Sequence, residues 1–259
     1  MANSVPAADE TPSQAENSVV DAYLARLNQL LESDKTSSEV AIALARRIGS
    51  KHFLSILGTI TEMDRLSREM RSVLDEFTGR RSFIFRVLTI EHLAIVMKLY
   101  VISWHTMIDL VARLVSLTFN LGVADRDVTL RLILNNDHVK SSRIPGIMQA
   151  YEKTLVIKDL RKRRNDAVHR GKIPDPDVEA MLKERNTIDS RRYSLLESKP
   201  ISGEEHKKRL SDLQERLGAL AETKREIWET VHSQTIAMTS EVVRELAIKT
   251  VELYRKGAI

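Results

Sequence analysis

Apolar residues recur every three or four positions along most of this 259-residue chain, which is the period of an amphipathic helix. Val19, Tyr23, Leu27 and Leu31, for example, would share one face of a first helix. No segment shows the strict alternation that is typical of a half-buried strand. The pattern predicts an all-α protein with helices over residues 15–32, 37–77 (loosened at Gly49 and Gly58), 82–120, 127–134, 145–171, from 176 onward, and 202–256.

The predicted helix over residues 82–120 is apolar almost all the way round, so it should lie at the centre of the fold. A membrane-spanning helix needs about 20 apolar residues that are almost free of charge. This helix is interrupted by Arg86, Glu91, His92, Lys98, Asp109 and Arg113. We therefore expect a long, buried core helix and no membrane association.

A helical hairpin is predicted towards the C-terminus. The segment 173–177, Ile-Pro-Asp-Pro-Asp, breaks the chain and offers Asp175 as the N-cap of the next helix. Ser202 and Glu205 form a capping box that opens the final helix. The leucines that follow alternate steps of three and four residues, as in a coiled coil: Leu210, Leu213, Leu217 and Leu220. Lys224 interrupts this seam of leucines. We predict a disordered segment over residues 1–15, a helical bundle over 16–172 plus 226–259, and a hairpin insertion over 173–225.

Composition limits the chemistry that the chain supports. It has no cysteine, which excludes disulfides, a thiolate nucleophile and thiolate metal sites, and which fits a reducing compartment. Only 9 glycines and 6 prolines are present, in keeping with long helices. The first ten residues have neither a basic start nor an apolar run, so we expect no secretory signal. These features predict a soluble, cytoplasmic protein.

One segment holds a charge as large as that of the whole chain. Residues 158–172 read Lys-Asp-Leu-Arg-Lys-Arg-Arg-Asn-Asp-Ala-Val-His-Arg-Gly-Lys, with seven Lys or Arg against two Asp, a local charge of +5. The entire chain carries only +4, so the remainder is close to neutral. A near-neutral protein with one concentrated basic segment is typical of a site that binds phosphate groups.

His169 is the only histidine of this basic segment, and its titration near neutral pH suits it to proton transfer. Asn165 and His169 are four residues apart and share a helix face, whereas Arg164 and His169 point about 140° apart on an ideal helix. The alternative interpretation is a solvated helix end whose cations complement the helix dipole. The small or apolar residues Ala167 and Val168 favour instead a turn that is packed on one side.

The pattern Arg164-Asn165-x-x-x-His169, at the end of a predicted helix in an all-α chain, resembles the HEPN (higher eukaryotes and prokaryotes nucleotide-binding) family. The motif of that family is Arg, four to six residues, then His. Residues 104–122, followed by a predicted short helix, are also similar to some stand-alone members. Together the two stretches cover roughly residues 80–172, with the C-terminal helix closing the bundle, and they leave residues 174–225 outside the resemblance.

The resemblance implies a HEPN-like helical bundle that forms a homodimer with the motif at the interface. It also implies RNA cleavage without a metal or cofactor, in which His169 acts in proton transfer, Arg164 holds the scissile phosphate, and Asn165 positions either of them. The cations that would bind the RNA backbone are Arg161, Lys162, Arg163, Arg170 and Lys172. Many cytoplasmic members are toxins or act in defence against phage, which implies a regulatory protein partner. Other members only bind nucleotides, RNA or proteins, so a non-catalytic module is the alternative function.

His105 and Asp109 lie four residues apart on the predicted central helix and could be interpreted as a metal-binding pair. No third ligand follows at a recognisable spacing, which favours a buried, hydrogen-bonded His-Asp pair. Under the family resemblance, either residue would orient His169 or Arg164 without touching the substrate. We therefore expect neither a metal nor a cofactor.

Overall fold

The computed structural model describes residues 18–31, 36–78, 89–124, 127–154, 160, 163–164, 175–193 and 201–256. All regular secondary structure in these ranges is helical, which confirms the all-α prediction. The helices are α1 (Val19–Leu30), α2 (Ser37–Ile48), α3 (Ser50–Asp75, followed by a 3-10 turn, Glu76–Thr78), α4 (Ile90–Thr118), α5 (Leu130–Asn135), α6 (Asp137–Lys140), α7 (Ile144–Glu152), α8 (Pro176–Tyr193) and α9 (Gly203–Lys256). The segment 1–15, for which we predict disorder, lies outside the described residues.

The long helix α9 joins two parts of the fold. Its C-terminal half packs with α1, α3, α4 and α7 around a shared apolar core. Its N-terminal half forms an antiparallel hairpin with α8, since Asp189 contacts His206 (3.0 Å) while Glu184, earlier in α8, contacts Arg216 (2.9 Å), later in α9. Leu213 and Leu217 are buried along this hairpin, as the leucine spacing predicts.

Helix α4 provides much of the core. It buries eighteen of its residues, among them Trp104 and Tyr100. Among the described helices, α4 alone is long and apolar enough to span a membrane by length and composition, and 56% of its most apolar window is buried inside the protein. Its burial is not complete, however, because Ile95, Leu99 and Ile102 remain exposed on one face.

Several predicted boundaries are wrong, each for a local reason. The stretch 37–77 divides at Gly49, one of the two positions where we predict loosening, because its φ of 101° ends α2; at the other position, Gly58, α3 continues unbroken. The predicted helix over 145–171 ends at Glu152, where the Thr154 hydroxyl donates to the Tyr151 carbonyl oxygen (2.9 Å). The sequence predicts Asp125 or Asp127 as the cap of the short helix that ends at Leu134, and a loop at residues 135–137 and 141–142. Instead, Thr129 caps α5, and α6 begins within that predicted loop.

A directed chain of hydrogen bonds connects three helices in the core. The Trp104 Nε1–H of α4 donates to the Tyr151 hydroxyl of α7 (2.7 Å), which lies 2.7 Å from the Thr235 hydroxyl of α9. Thr235 in turn donates to the Val231 carbonyl oxygen (2.7 Å), so its own oxygen is left to accept from Tyr151. The central hydroxyl of Tyr151 therefore holds α4, α7 and α9 together.

We predict that Tyr151→Phe destabilises the protein by about 1–3 kcal/mol, because it leaves the buried Trp104 N–H without its acceptor and the Thr235 oxygen without its donor. Urea denaturation followed by circular dichroism measures the free energy of unfolding. Tyr193→Phe is the matched control, since Tyr193 is 73% exposed, and its stability should not change. Equal stability of the two variants would contradict the role given to the Tyr151 hydroxyl.

Candidate functional site

The basic segment is described at three positions. Leu160, Arg163 and Arg164 are helical, and Leu160 is buried, with 2% of its surface exposed. In an α-helix, side chains three and four positions apart are neighbours, and Arg163 and Arg164 stand three and four positions after Leu160. The other predicted site residues of the segment lie outside the described residues: Arg161, Lys162, Asn165, His169, Arg170 and Lys172.

Arg163 is bound to a buried carboxylate. Its Nη1 atom lies 2.9 Å from Oδ2 of Asp175, whose side chain is only 2% exposed. The second carboxylate oxygen, Oδ1, accepts the backbone N–H groups of Asp177 (3.0 Å) and Val178 (3.3 Å). Asp175 therefore caps α8, as the sequence predicts, and it also ties the basic segment to the base of the hairpin. This contact neutralises Arg163 and gives it a structural task.

Lys224 of α9 completes the same cluster from the opposite side. Its Nζ atom lies 2.9 Å from Oδ2 of Asp175 and 2.6 Å from Oδ2 of Asp177. Burial by itself would lower the pKa of Lys224, but the hydrogen bonds to Asp177 and Asp175 outweigh that effect and raise the pKa above its ordinary value. Four donors thus converge on one buried carboxylate, and two of them are cations.

Arg164 is half-buried and directly follows the ion-paired Arg163. A fully solvated cation at a helix end would be exposed, so the first residue of the candidate motif is partly shielded from solvent.

His105 and Asp109 contact each other on α4, as their spacing predicts. The His105 Nδ1 atom lies 3.0 Å from Asp109 Oδ2, and the His105 ring also lies edge-on to Trp104 with centroids 6.3 Å apart. The pair is not buried, however, because the side chains are 28% and 61% exposed. The prediction of a buried pair is wrong in this respect, since this face of α4 lies at the surface of the protein.

Other concave or charged regions are weaker candidates for chemistry. A groove of about 840 Å³ between α1, α7 and α9 is lined by three arginines and three carboxylates, which balance to no net charge. Arg143 there already pairs with Glu245 (3.2 Å). Within the described ranges, no three His, Asp or Glu side chains come together in a way that could hold a metal ion.

The charge cluster at Asp175 is the feature that sequence reasoning missed. The sequence predicts Asp175 only as a helix cap and Lys224 only as an interruption of the leucine seam. The sequence feature that could have predicted this cluster is Lys224, a single lysine among the apolar positions of the seam. The predicted hairpin would bring it opposite the Asp-Pro-Asp turn at residues 175–177. A cation at such a position needs a carboxylate partner, and the turn supplies two.

No protein-family model, curated protein or solved structure matches this chain. The functional assignment therefore depends on the residues and geometry described above.

We predict that Lys224→Gln lowers the free energy of unfolding by about 1.5–3 kcal/mol at neutral pH, since it removes a charged hydrogen bond from a buried carboxylate. Because the pKa of Lys224 is higher in the folded chain than in the unfolded chain, its contribution is complete below about pH 10.5 and is lost as the pH rises further. The stability difference between the wild type and the variant should therefore shrink at higher pH.

Burial raises the pKa of Tyr23 and Tyr100, so the wild type and the Lys224→Gln variant both lose stability at alkaline pH. Only the difference in stability between these two proteins reports on Lys224. The matched control is Lys183→Gln, because Lys183 is 74% exposed and pairs with Glu179 on one face of α8. That variant should change stability by less than about 0.5 kcal/mol. A stability difference for Lys224→Gln that stays constant to high pH would refute the assignment.

Proposed function

We propose that this protein is a HEPN-like, metal-independent endoribonuclease. The observation that carries the proposal is the concentration of positive charge around Arg164, Asn165 and His169 in a chain that is otherwise close to neutral. RNA is the polyanion that suits such a segment, because it also supplies its own nucleophile, the 2′-hydroxyl. No metal-bound water is needed for that reaction.

In the proposed reaction the RNA 2′-oxygen attacks the adjacent phosphorus, and the bond from phosphorus to the 5′-oxygen breaks. The proton of the 2′-hydroxyl passes to a base and a proton is delivered to the departing 5′-oxygen. His169 acts in these transfers as the general base or the general acid. Arg164 holds the phosphate and stabilises the charge that develops on its oxygens, and Asn165 positions His169 or the phosphate.

The surroundings of Arg164 support this proposal. Leu160 is buried and Arg163, the neighbour of Arg164, is ion-paired with Asp175, so we expect Arg164 to be positioned before RNA binds. Preorganised charge is more effective in catalysis than a flexible side chain, because no reorganisation is needed as the reaction proceeds.

The structure changes one assignment within the proposal. Since Asp175 neutralises Arg163, we assign Arg163 to holding the segment and leave RNA-backbone binding to Arg161, Lys162, Arg170 and Lys172. His105 and Asp109 keep the proposed role of orienting the motif residues. A cytoplasmic homodimer with the motif at its interface, regulated by a protein partner as in toxin or phage-defence systems, completes the proposal.

A second candidate function is a non-catalytic HEPN-like module that binds RNA, nucleotides or a protein partner. The hairpin of α8 and α9 favours it, because an antiparallel helical pair is a common protein-binding element and Tyr193 at its tip is 73% exposed. In that case the basic segment would bind RNA with the same salt dependence but without cleavage.

We predict that His169→Ala reduces RNA cleavage by about 10²- to 10⁴-fold, the usual contribution of a general acid or base. Single-turnover cleavage of a labelled RNA measures the rate, and RNA binding should change little. His138→Ala is the control, since His138 is exposed at a distant sequence position, and it should keep full activity. Cleavage that survives in His169→Ala would refute the catalytic proposal, and RNA binding without cleavage in the wild type would favour the second function.

We further predict that cleavage yields a 2′,3′-cyclic phosphate on one fragment and a 5′-hydroxyl on the other, and that EDTA does not inhibit it. Both expectations follow from attack by the 2′-oxygen without a metal-bound nucleophile. Mass spectrometry of the fragments identifies the ends. Fragments that carry a 5′-phosphate, or inhibition by EDTA that Mg²⁺ reverses, would be incompatible with this reaction.

A further inference from the structure

The tip of the α8–α9 hairpin, residues 189–193 and 201–208, carries cations that no carboxylate neutralises. Ten Lys or Arg lie in the described residues 176–193 and 203–225, and six of them form ion pairs: Lys183, Arg185, Arg209, Arg216, Lys224 and Arg225. The four that form no ion pair with a described carboxylate are all exposed and all lie at the tip: Arg191, Arg192, Lys207 and Lys208. The unpaired positive charge of the hairpin is therefore concentrated at its end.

The carboxylates of the tip do not cancel this charge. Asp189 lies 3.0 Å from His206 and 3.8 Å from Arg185, and Glu205 pairs with Arg209 (2.6 Å). Glu204 is the remaining carboxylate of the tip, and it has no cation partner among the described residues. Four unpaired cations thus stand against one unpaired carboxylate.

An exposed tyrosine ring lies among these cations. Tyr193 is 73% exposed, and its ring meets that of His206 edge-on, with centroids 5.9 Å apart and planes at 72°. Arg192 precedes it in α8 and donates to the Ile201 carbonyl oxygen (3.4 Å), while Lys207 follows His206 in α9. These contacts hold the end of α8 beside the start of α9, so cations from both helices flank the ring.

An exposed aromatic ring with unpaired cations beside it suits single-stranded nucleic acid. Bases stack on aromatic side chains while Lys and Arg contact the phosphates, and this mode of binding tolerates any sequence. A duplex offers no unstacked base for such a ring. A protein partner fits less well, because lysine is depleted at protein interfaces and Tyr193 is the only large exposed apolar side chain among the described residues of the tip.

We propose that the hairpin tip is a second nucleic-acid site, at which a base of single-stranded RNA stacks on Tyr193 while the four unpaired cations bind the neighbouring phosphates. The site lies in the part of the chain that the HEPN resemblance does not cover. The proposal rests on the proposed function in one respect only, which is that the natural ligand is RNA bound at the basic segment as well.

The tip lies far enough from the basic segment for one RNA strand to contact both. Helix α8 runs from Pro176 to Tyr193, a rise of about 26 Å at about 1.5 Å per residue, and Asp175 at its base binds Arg163 (2.9 Å). At a spacing of about 3.4 Å per stacked nucleotide, about eight nucleotides span this distance. Affinity should therefore rise once a strand exceeds that length, because the second contact becomes intramolecular.

Fluorescence anisotropy of the full chain with single-stranded DNA tests the site without relying on cleavage, because DNA lacks the 2′-hydroxyl. Tyr193→Leu should weaken binding by about five- to 100-fold, since leucine has no flat face for stacking, whereas Tyr193→Phe should bind like the wild type. Circular dichroism checks that each variant keeps its helical content. Unchanged binding by Tyr193→Leu would overturn the site, and a loss in Tyr193→Phe as large as in Tyr193→Leu would overturn the stacking.

Salt dependence tests the cations. Lys207→Gln combined with Lys208→Gln should reduce the slope of the logarithm of affinity against the logarithm of salt concentration by about 1.4, because each phosphate contact of a single strand contributes about 0.7. The matched control combines Lys183→Gln with Arg216→Gln, which removes the same charge from two exposed cations that are already ion-paired. Equal changes of slope in the two double variants would overturn the role of the tip cations.

A length series of RNA strands distinguishes this site from the proposed function. In the His169→Ala chain, which should leave RNA intact, affinity should rise by about tenfold or more between roughly six and twelve nucleotides, and adding Tyr193→Leu should remove the rise. If the rise is absent while Tyr193→Leu still weakens binding, the tip site is supported and RNA binding at the basic segment is refuted.

The position and the class of ligand have their own tests. Ultraviolet crosslinking of RNA that contains 5-bromouridine, followed by mass spectrometry, should join RNA to Tyr193. Duplex RNA should bind Tyr193→Leu as it binds the wild type, since its bases are already stacked. Three outcomes would overturn the proposal: crosslinks confined to residues 158–172, a loss of duplex binding equal to that of single strands, and a photoreactive residue at position 193 that captures a protein but no RNA in cells.

Discussion

A single buried hydroxyl, that of Tyr151, hydrogen-bonds α7 to both α4 and α9. A helix of nine residues is too short to persist without tertiary contacts, and Tyr151 is the residue by which α7 is hydrogen-bonded to both α4 and α9. In the sequence, the basic segment begins six residues after the end of α7. The hydrogen bonds run in one direction, from the Trp104 N–H to the Val231 carbonyl oxygen. Removing any member of this chain therefore leaves a neighbouring polar group buried without its hydrogen-bond partner.

Asp175, which follows the basic segment in the sequence, connects parts of the fold through ion pairs in the way that Tyr151 connects helices through hydrogen bonds. A buried carboxylate is costly unless it is compensated, and here the compensation comes from two cations that lie far apart in sequence, Arg163 and Lys224. The hairpin and the basic segment are consequently coupled, because neither can separate from Asp175 without leaving its charge partly unpaired. A segment rich in cations is in this way fastened to the protein by one of its own arginines, while its net charge remains strongly positive.

Local signals were enough to predict the helices and several of their ends. Asp175 and Ser202 were identified as caps, because a side chain that accepts backbone N–H groups needs only its own neighbours. The sequence does not predict the end of α7, because Leu155 and Ile157 continue the apolar spacing of a helix beyond Glu152. A single threonine at position 154 is not a strong enough stop signal to outweigh that spacing. The sequence also does not predict that Ile95 and Asp109 are exposed. Because α4 is apolar on most sides, its own sequence does not show which face is left uncovered; that depends on how many helices pack around it. Of the candidate site, the sequence predicts the contact between His105 and Asp109 but not the ion pair of Arg163, which joins residues 12 positions apart that share no helical spacing.

The continuity of α9 restricts how this protein can change in length. One helix of 54 residues serves both the bundle and the hairpin, so the rotational phase of its two halves is shared. Inserting one residue between Leu217 and Lys224 would turn the hairpin arm of α9 by about 100° relative to Lys224 and the bundle, so that the packing on α8 and the contact of Lys224 with Asp175 could not both be kept. Insertions of a whole turn would preserve the phase but would lengthen only one arm of an antiparallel pair. Tolerated changes in the length of the hairpin are therefore expected as matched insertions, one turn in α8 and one in the facing half of α9, beyond the ion pairs at its base.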